Sequence, residues 1–302
     1  MTPLTSSGDM IADGRYAYAR AAAADGDWRA AADVLEQALE RAPAWASAWF
    51  ALGEARVKLL EAEGAAAAFR SALAADPGDT LGAANHLALL SGASPHRAPA
   101  AYVTRLFDDY AHRFDDHLVA QLLYRGPALL AQALTEVAGQ RRFATCLDLG
   151  CGTGLAGAAL RSRVDFLSGV DLSPAMIAKA REKHIYDRLA TGDLVAFLEA
   201  CAPGGADLVL AADVLIYFGD LGPVLCAVSK ALAPGGLFAF TVETHEGDGA
   251  QWGDHLRFAH APDEVVEQAS RAELSALATT RASVRHEAGA PVKGMVGVFE
   301  RR

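Results

Sequence analysis

The sequence predicts two parts of different fold class: an all-α domain of paired helices, followed by an α/β domain with a largely parallel sheet. Three observations support this prediction. Residues repeat at intervals of 34 near the start of the chain, a glycine-rich turn follows a short apolar run at Cys146, and two alternating strands surround Gly289. Helix-pair repeats and strand–turn–helix units fold by different rules, so separate domains are expected.

Composition limits the classes of partner. The 302 residues and the hydrophobic share of 52% suffice for two folded domains. The formal net charge is −10, from 27 basic and 37 acidic residues, and an acidic surface repels phosphate backbones, so no nucleic-acid partner is expected. The first residues lack the features of a signal peptide, and the apolar runs are too short to span a bilayer. We therefore expect a cytoplasmic protein that makes no membrane contact.

Neither the cysteines nor the histidines predict a disulfide or a metal site. The four cysteines form no CxxC pair, which is typical of reduced thiols in a cytosolic protein: Cys146, Cys151, Cys201 and Cys226. Two histidine pairs are each five residues apart, which suits neither helical zinc pairs nor zinc fingers: His112 with His117, and His255 with His260. No metal is therefore expected.

A 34-residue repeat covers the start of the chain. Four positions of one copy recur in the next: Ala31, Leu35, Ala38 and Pro43 return as Ala65, Phe69, Ala72 and Pro77. This period is typical of the tetratricopeptide repeat, a helix–turn–helix unit. Residues 10 to about 92 resemble two and a half such repeats, so we predict a tetratricopeptide-repeat domain at residues 1–95. Its concave face would bind a peptide or protein partner; alternatively, the short stack only packs on its neighbour.

The segment CLDLGCGTGLAG, residues 146–157, is typical of a strand that turns sharply into a helix around a ligand. It holds two overlapping glycine patterns, one at positions 150, 152 and 154 and one at 152, 154 and 157. The second is a dinucleotide pattern, and Asp171 ends the next strand at the distance expected for a group that binds ribose hydroxyls. Asp148 favours a different ligand, because a carboxylate repels a pyrophosphate and attracts an ammonium or a sulfonium.

Further motifs follow in order. Gly192-Asp193 closes a third strand, Ala206-Asp207-Leu-Val209 begins a fourth, and a Leu-Ala-Pro-Gly-Gly run begins at Leu232. Together with Asp148-Leu-Gly-Cys-Gly-Thr-Gly and Gly169-Val-Asp-Leu-Ser-Pro, these motifs resemble those of class I S-adenosylmethionine-dependent methyltransferases over residues 146–243. With the repeats, the chain resembles the bacterial predicted methyltransferases that carry an N-terminal tetratricopeptide domain. The resemblance implies a Rossmann-like, seven-stranded methyltransferase sheet with an antiparallel C-terminal hairpin at residues 141–302.

The resemblance also implies S-adenosylmethionine as cofactor and S-adenosylhomocysteine as product. Asp148 and the backbone around Gly150 would hold the methionine ammonium, Asp171 the ribose hydroxyls and Asp193 the adenine amino group. The other implied cofactor-binding residues are Cys151, Gly152, Gly154, Leu172, Met176, Gly192, Leu194, Ala212 and Asp213. For Asp193 and Asp213 the alternative role is that of a helix N-cap, which Asp favours.

Residues 96–140 are predicted to be a linker with lid helices. Tyr110 and Phe114 share one helical face, and many class I methyltransferases have a Tyr-rich helix before the first glycine motif. The resemblance implies a lid whose aromatic rings close over the cofactor, since such rings suit a sulfonium cation. The alternative is plain helix packing. Tyr124 and Arg125 are candidate substrate-binding residues.

The acceptor side is predicted in the polar loop after the fifth strand. Glu243 and Arg257 are candidate substrate-binding residues, and His245, His260 and Tyr217 are candidate catalytic residues. A general base is needed only if the acceptor is protonated, and either histidine can instead be an ordinary loop residue. No Asn/Asp-Pro-Pro-Tyr motif follows the fourth strand, which argues against amino-methylation of adenine or glutamine.

Three functions are compatible with these patterns. The first is in-line transfer of the sulfonium methyl group to a small-molecule acceptor, or to a peptide held by the repeats. The second is a tetratricopeptide adaptor whose other half senses the cofactor without turnover. The third is an NAD-dependent oxidoreductase, which Asp148 and the C-terminal hairpin disfavour. Cofactor affinity separates the third from the others, and turnover separates the first two.

Overall fold

The computed structural model describes residues 6–93, 95–116, 123–253, 257–287 and 289–302. The chain divides into two compact units, Met1–Pro95 and His96–Arg302. Residues 117–122 of the predicted lid, which include His117, lie outside the described residues. The same holds for His255, which belongs to the other histidine pair. Within the described residues, no helix combines the length and apolar character that a membrane crossing needs.

The first unit is a stack of helices joined by short turns. Its helices are α1 (Met10–Ala24), α2 (Trp28–Arg41), α3 (Ala46–Lys58), α4 (Ala62–Ala75) and α5 (Ala83–Ser91). Two of them begin at a capping carboxylate: Asp9 accepts hydrogen bonds from the first turn of α1, and Asp27 accepts one from the Ala30 N–H of α2. The helix pairs α1–α2 and α3–α4, with α5 as a half copy, reproduce the predicted repeats.

Small residues of the repeat allow this close packing. Gly53 of α3 lies against the ring of Phe69 on α4, so close that a Cβ at Gly53 would come within 2.6 Å of the ring. Phe69 is fully buried and stacks on His86 of α5 at a ring-centroid distance of 4.6 Å. Burial lowers the pKa of His86 to about 4, so the ring stays neutral and packs as an aromatic residue.

The second unit is an α/β domain. Its helices are α6 (Ala100–Tyr110), α7 (Phe114–Asp116), α8 (Gly126–Ala138), α9 (Leu155–Leu160), α10 (Pro174–Glu182), α11 (Leu194–Glu199), α12 (Gly222–Ala231) and α13 (Pro262–Arg271). Its strands are β1 (Phe143–Leu149), β2 (Val164–Asp171), β3 (Arg188–Thr191), β4 (Ala206–Ala211), β5 (Leu232–Thr244), β6 (Ala250–Trp252), β7 (Phe258–His260), β8 (Leu274–Glu287) and β9 (Ala290–Arg301).

The strands form one mixed sheet. Strands β3, β2, β1, β4 and β5 lie side by side and parallel, β9 pairs antiparallel with β5, and β8 pairs antiparallel with β9. The predicted fold class, a Rossmann-like sheet with an antiparallel C-terminal hairpin, is confirmed. The short strands β7 and β6, for which the sequence carries no recognisable pattern, extend the sheet from the end of β5.

Helices cover both faces of this sheet. Leu208 and Leu210 of β4 pack in the apolar cluster that includes α8, whereas Val209 packs in the cluster that includes α12. Successive residues of a strand point to opposite faces, so a strand covered on both sides must be apolar throughout. Because helices cover both faces, the carboxyl ends of the parallel strands remain uncovered, and polar residues lie there in the loops.

Candidate active site

A cavity of about 370 Å³ opens at the carboxyl ends of the parallel strands. In doubly wound sheets, ligands bind at this edge. Four neighbouring strands each bring a carboxylate to the cavity wall, at the strand end or just after it; in sheet order these are Asp193, Asp171, Asp148 and Asp213. The other described lining residues predicted from the sequence are Tyr110, Phe114, Tyr124, Gly150, Cys151, Gly152, Leu172, Gly192, Leu194, Ala212, Tyr217 and Arg257.

The glycine turn between β1 and α9 needs its glycines for different reasons. Gly150, Gly152 and Gly154 have φ values of 60°, 54° and 94°, a region that side chains other than glycine rarely adopt. The Val214 side chain lies directly against Gly150, where a Cβ would meet it at 2.4 Å. At Gly152, by contrast, the nearest atom to an added Cβ is 3.9 Å away, so this backbone is open to the cavity.

The remaining glycines of the pattern make room for Tyr186. An added Cβ would lie 2.8 Å from its ring at Gly154, 2.4 Å from its hydroxyl at Gly157 and 2.8 Å from its ring at Gly169. The apparent dinucleotide pattern at positions 152, 154 and 157 is therefore accounted for partly by a tyrosine that packs beneath the turn. Gly154 does not line the cavity, which corrects its prediction as a cofactor contact.

Tyr186 also forms a hydrogen bond with Asp148. The Tyr186 hydroxyl donates a 2.6 Å hydrogen bond to Asp148 Oδ2, and the carboxylate is only 1% exposed. Burial raises the pKa of Asp148 to about 7, although the hydrogen bond from Tyr186 favours the ionised form. A buried carboxylate held near its midpoint at neutral pH becomes fully ionised when a cation binds beside it, so Asp148 is suited to hold an ammonium group.

Asp171 connects β2 to the glycine turn. Its Oδ2 accepts a 2.9 Å hydrogen bond from the Gly152 N–H, and its Oδ1 accepts one of 2.8 Å from the Ser173 N–H. Burial raises the pKa of Asp171, and these two N–H groups oppose the rise. Each carboxylate oxygen retains a second lone pair, so the residue can still accept hydrogen bonds from a ligand in the cavity.

Asp193 is a helix N-cap that also lines the cavity, so its predicted contact with the cofactor stays a proposal. Its Oδ1 caps α11 by accepting from the Val195 and Ala196 N–H groups, and it also lines the cavity. Its Oδ2 pairs with Arg97 at 2.7 Å. Burial alone would raise the pKa of Asp193, but the Ala196 N–H and the Arg97 guanidinium lower it overall. The carboxylate is therefore ionised and faces the same cavity as Asp171.

Aromatic residues of α6 and α7 form one wall of the cavity. The rings of Tyr110 and Phe114 meet edge to face at 5.3 Å, and Phe107 meets Tyr217 in the same way at 5.8 Å. All four rings line the cavity, and Phe114 lies closest to the glycine turn at Gly152. The arrangement agrees with the predicted lid, which remains a proposal because the segment that follows α7 lies outside the described residues.

Two carboxylates attach this wall to the loops below it. Asp108 accepts a 2.5 Å hydrogen bond from the Ser173 hydroxyl, two residues beyond Asp171. Asp115 accepts a hydrogen bond from the Thr153 hydroxyl of the glycine turn and pairs with Lys183 at 2.7 Å. The wall is thus tied to both loops that border the cavity.

At the β4 end, the cavity is bordered by an ionic cluster. We use the name acceptor-end cluster for Asp213, Glu243, Arg257, Arg285 and Glu287. Arg285 is 3% exposed; its Nη1 contacts both Asp213 oxygens at 2.6 and 2.7 Å, and its Nη2 donates to Glu243. Arg257 donates to Glu287. Two guanidinium groups thus face three carboxylates, which leaves a formal charge of −1.

Electrostatics within this cluster keep Arg285 and Glu287 charged. Burial alone would lower the pKa of Arg285, but the carboxylates of Asp213 and Glu243 outweigh it and raise the pKa above its usual range. Burial tends to raise the pKa of Glu287, yet Arg257 and Arg285 lower it overall. The alternative role of Asp213 as a helix N-cap is wrong, because the short helical turn Leu215–Tyr217 begins after Val214 and Arg285 occupies the carboxylate.

The predicted histidines do not reach the cavity. The His245 ring is held within its own loop: its Nε2 contacts the Gly249 carbonyl at 2.9 Å, and its Nδ1 accepts from the Gly247 N–H at 2.9 Å. His260 lies on β7, is 2% exposed, and has its pKa lowered to about 4 by burial. Neither ring is among the lining residues, so the structure does not support either as a general base.

Three other predicted site residues lie outside the lining. Met176 is fully buried in the core side of α10 and does not contact the cavity. Arg125 is exposed, and its backbone N–H donates to the Val284 carbonyl at 2.8 Å. Glu243 lies behind the lining, where it pairs with Arg257 and Arg285. Tyr217 does line the cavity, and burial raises its pKa, so its hydroxyl is a hydrogen-bond donor and not a base.

Sequence reasoning missed several residues of this site. They are Arg97, Asp108, Tyr186, Arg285 and Glu287. A signal existed for two of them: Arg285 and Glu287 alternate on one face of β8, which indicates a polar face near the hairpin end. Tyr186 and Asp108 act over 38 and 65 residues of sequence separation, and no local pattern reveals such pairs.

Comparison with known proteins agrees with this geometry. A family model described as a methyltransferase domain matches residues 147–238, and a tetratricopeptide-repeat model matches residues 12–55. Methyltransferase-like protein 27 of Homo sapiens is 35% identical over 147 residues, which cover 47% of this chain and 58% of the relative. Trans-aconitate 2-methyltransferase of Deinococcus radiodurans is 30% identical over 184 residues, which cover 55% and 66%.

Malonyl-[acyl-carrier protein] O-methyltransferase of Pseudescherichia vulneris is 30% identical over 139 residues, which cover 46% of this chain and 52% of the relative. The chain thus spans about half the length of the curated relatives it matches. Among solved structures, the Burkholderia thailandensis 1,6-didemethyltoxoflavin-N1-methyltransferase is similar with a TM-score of 0.53 and 21% identity, over 69% of this chain and 92% of that one. These findings confirm the predicted combination of a class I methyltransferase fold with tetratricopeptide repeats.

Proposed function

We propose that this chain, a methyltransferase-domain protein with N-terminal tetratricopeptide repeats, transfers a methyl group from S-adenosylmethionine to a small-molecule acceptor. One observation carries the proposal: four carboxylates at the ends of four adjacent strands line a single cavity beside an open glycine turn. A cavity of about 370 Å³ falls within the usual range of small-molecule sites, roughly 300–1,000 Å³.

The residues present fit this cofactor better than a dinucleotide. Asp148 is buried against the turn and would hold the methionine ammonium, whereas a pyrophosphate would meet a carboxylate there. Asp171 would accept hydrogen bonds from the ribose hydroxyls. Asp193 would accept from the adenine amino group, beside Leu172 and Leu194. The open backbone at Gly152 leaves space for close approach of the ligand.

The cofactor supplies an already activated methyl group, so the chain mainly orients the reactants and excludes water. Orientation alone contributes roughly 7–11 kcal/mol in favourable cases. The glycine turn, the strand-end carboxylates and the rings of Phe107, Tyr110 and Phe114 together line the cavity. Aromatic faces and a surplus of negative charge both favour a cationic sulfonium over water.

The cavity favours an acceptor that is nucleophilic without loss of a proton, and a carboxylate is the leading candidate. No histidine or lysine stands among the described lining residues, and burial raises the pKa values of Tyr124 and Tyr217. Two of the relatives are named for malonyl-[acyl-carrier protein] and trans-aconitate, both of which carry carboxylates. A carboxylate would meet the guanidinium of Arg257, in competition with Glu287.

The repeats supply a second candidate role. A tetratricopeptide stack has a concave face that suits a peptide, so a protein partner, or a peptide acceptor, is a further proposal for the first unit. A similar solved structure, a Haloferax volcanii methyltransferase at 21% identity, was obtained in complex with the Trm112 activator. The alternative of an adaptor that senses the cofactor without turnover remains to be tested by activity.

Calorimetric titration tests the cofactor assignment. Wild-type protein is titrated with S-adenosylmethionine, S-adenosylhomocysteine and, as a control ligand, NAD. We expect both sulfur compounds to bind and NAD not to bind. The variant Asp171→Asn should lose binding by at least tenfold, because two N–H groups and the ribose share that carboxylate. Asp165→Asn is the matched control, since Asp165 lies exposed at the other end of β2. Binding of NAD alone would overturn the proposal.

Turnover is tested with a panel of small acids, each paired with its amide, by release of S-adenosylhomocysteine. Methylation of acids but not of amides supports the carboxylate acceptor. Methylation of amines or phenols instead would contradict the acceptor class and leave the cofactor assignment intact. Cofactor binding with no release on any acceptor, including peptides captured by the repeats, would favour the adaptor.

A further inference from the structure

We propose that Arg285 is a positioning residue, which sets the acceptor end of the cavity and, through it, the glycine turn. The inference rests on the proposed function only for the identity of the ligand. The contacts of Arg285 do not depend on that function. Arg285 lies on β8 of the C-terminal hairpin, outside the residues 147–238 that match the methyltransferase-domain model. None of the sequence motifs contains it.

The first step is the contact between Arg285 and Asp213. Asp213 follows β4 with a φ of 58°, a left-handed conformation that is uncommon for a residue other than glycine. Two contacts fix this conformation: Arg285 Nη1 holds both carboxylate oxygens at 2.6 and 2.7 Å, and the Asp213 N–H donates to the buried Thr241 hydroxyl at 2.8 Å. The contact from the buried guanidinium is the stronger of these because it is charged.

The second step runs from Asp213 to the glycine turn. The next residue, Val214, packs its side chain directly on Gly150, where even one added carbon would lie 2.4 Å away. Gly150 has no side chain that could yield, so a change in the backbone at Asp213 displaces the turn. A chain of contacts therefore leads from Arg285 through Asp213 and Val214 to the backbone that borders the cofactor.

The third step is electrostatic. Arg285 contacts Asp213 and Glu243 directly and lies near Glu287, with its Nε 3.4 Å from Oε1. Without its charge, three half-buried carboxylates would share the single guanidinium of Arg257. Uncompensated buried charge is strongly unfavourable, so the cluster would have to rearrange or take up protons. Removal of one carboxylate as well should then restore part of the affinity for the cofactor, and the experiment measures this recovery.

The experiment compares four variants of the full chain by their affinity for S-adenosylmethionine and by hydrogen exchange at Asp213. We expect Arg285→Met to weaken binding at least tenfold. Arg285→Lys should weaken it by roughly threefold, because an ammonium keeps the charge but lacks the two separate nitrogens that contact Asp213 and Glu243. The double variant Arg285→Met/Glu243→Gln should bind at least threefold more tightly than Arg285→Met, since Glu243 contacts Arg285 and lies behind the cavity lining. Arg281→Met is the matched control on the same strand, exposed and paired with Glu246, and should match wild type.

If Arg285 had only a structural role, removal of one carboxylate would not restore affinity for the cofactor. A double variant that binds no better than Arg285→Met therefore overturns the proposal. Hydrogen exchange of the Asp213 N–H, measured without any ligand, should accelerate at least tenfold in Arg285→Met and stay unchanged in Arg281→Met. Unchanged exchange in both also overturns it. If wild-type protein does not bind the cofactor, the proposed function fails, while the exchange measurement still decides the role of Arg285.

Discussion

Replacing Asp148 by Asn should stabilise the cofactor-free protein at neutral pH while removing its affinity for S-adenosylmethionine. The carboxylate is 1% exposed, and burial raises its pKa from 3.8 to about 7. This rise corresponds to roughly 4 kcal/mol of unfavourable free energy for the ionised form in the folded state. Asparagine has the same shape, can accept the hydrogen bond from Tyr186 and carries no charge.

The sign of the effect follows from proton linkage. Folded wild-type protein keeps a proton on Asp148 that the unfolded chain releases, so its stability falls as the pH rises from about 4 to about 7 and levels off above that. The asparagine variant has no such proton. Its free energy of unfolding should therefore match that of wild type near pH 4 and exceed it by up to about 4 kcal/mol at pH 8.

The assay must report on the second unit alone. Three of the four tryptophans, Trp28, Trp45 and Trp49, lie in the first unit, so intrinsic fluorescence would follow the wrong transition. Urea unfolding is instead followed by pulsed alkylation of the buried thiols Cys146 and Cys151, read out by mass spectrometry. Stability differences that stay constant from pH 4.5 to pH 8, or that shrink as the pH rises, would show that Asp148 does not hold a proton in the folded protein.

Three further outcomes are expected. Gly53→Ala should destabilise the first unit by about 1–3 kcal/mol, as seen by tryptophan fluorescence during urea unfolding, because the added methyl group meets the buried ring of Phe69; an unchanged midpoint would contradict this. Asp108→Asn should speed cofactor release roughly tenfold in stopped-flow measurements, since the substitution weakens the hydrogen bond that attaches the aromatic wall to Ser173. The control is Asp109→Asn at the exposed neighbouring position, which should leave the release rate unchanged. His245→Ala should keep the methyl-transfer rate within about threefold of wild type, because the ring is held in its own loop and not in the cavity. A loss of 100-fold or more would indicate that His245 is the general base after all.

The predictable part of the site consists of residues whose place follows from local rules. A carboxylate at the end of a parallel strand must lie at the ligand-binding edge, whatever the rest of the chain does, and this placed Asp148, Asp171 and Asp193 on the cavity wall. The 34-residue period likewise predicted the helix pairs, because each pair contacts only its neighbours.

The remainder depends on contacts between distant segments. Arg285 reaches Asp213 across 72 residues, and only the pairing of β8, β9 and β5 brings it there. The histidines had the right chemistry and the right loop, yet His245 is held by hydrogen bonds within that loop and His260 is buried on the short strand β7. Strands of three residues carry too little alternation to be recognised in a sequence.

The position of β9 has a consequence for biosynthesis. This strand, Ala290–Arg301, comes last in the order of synthesis among the described strands, yet it lies between β5 and β8. Until the ribosome has added it, β5 and β8 have no common partner, and their exposed edges invite pairing with other chains. The repeats, whose contacts are local, can fold while this closure is pending. We therefore expect chains stalled before residue 290 to carry a folded first unit and to need a chaperone for the second.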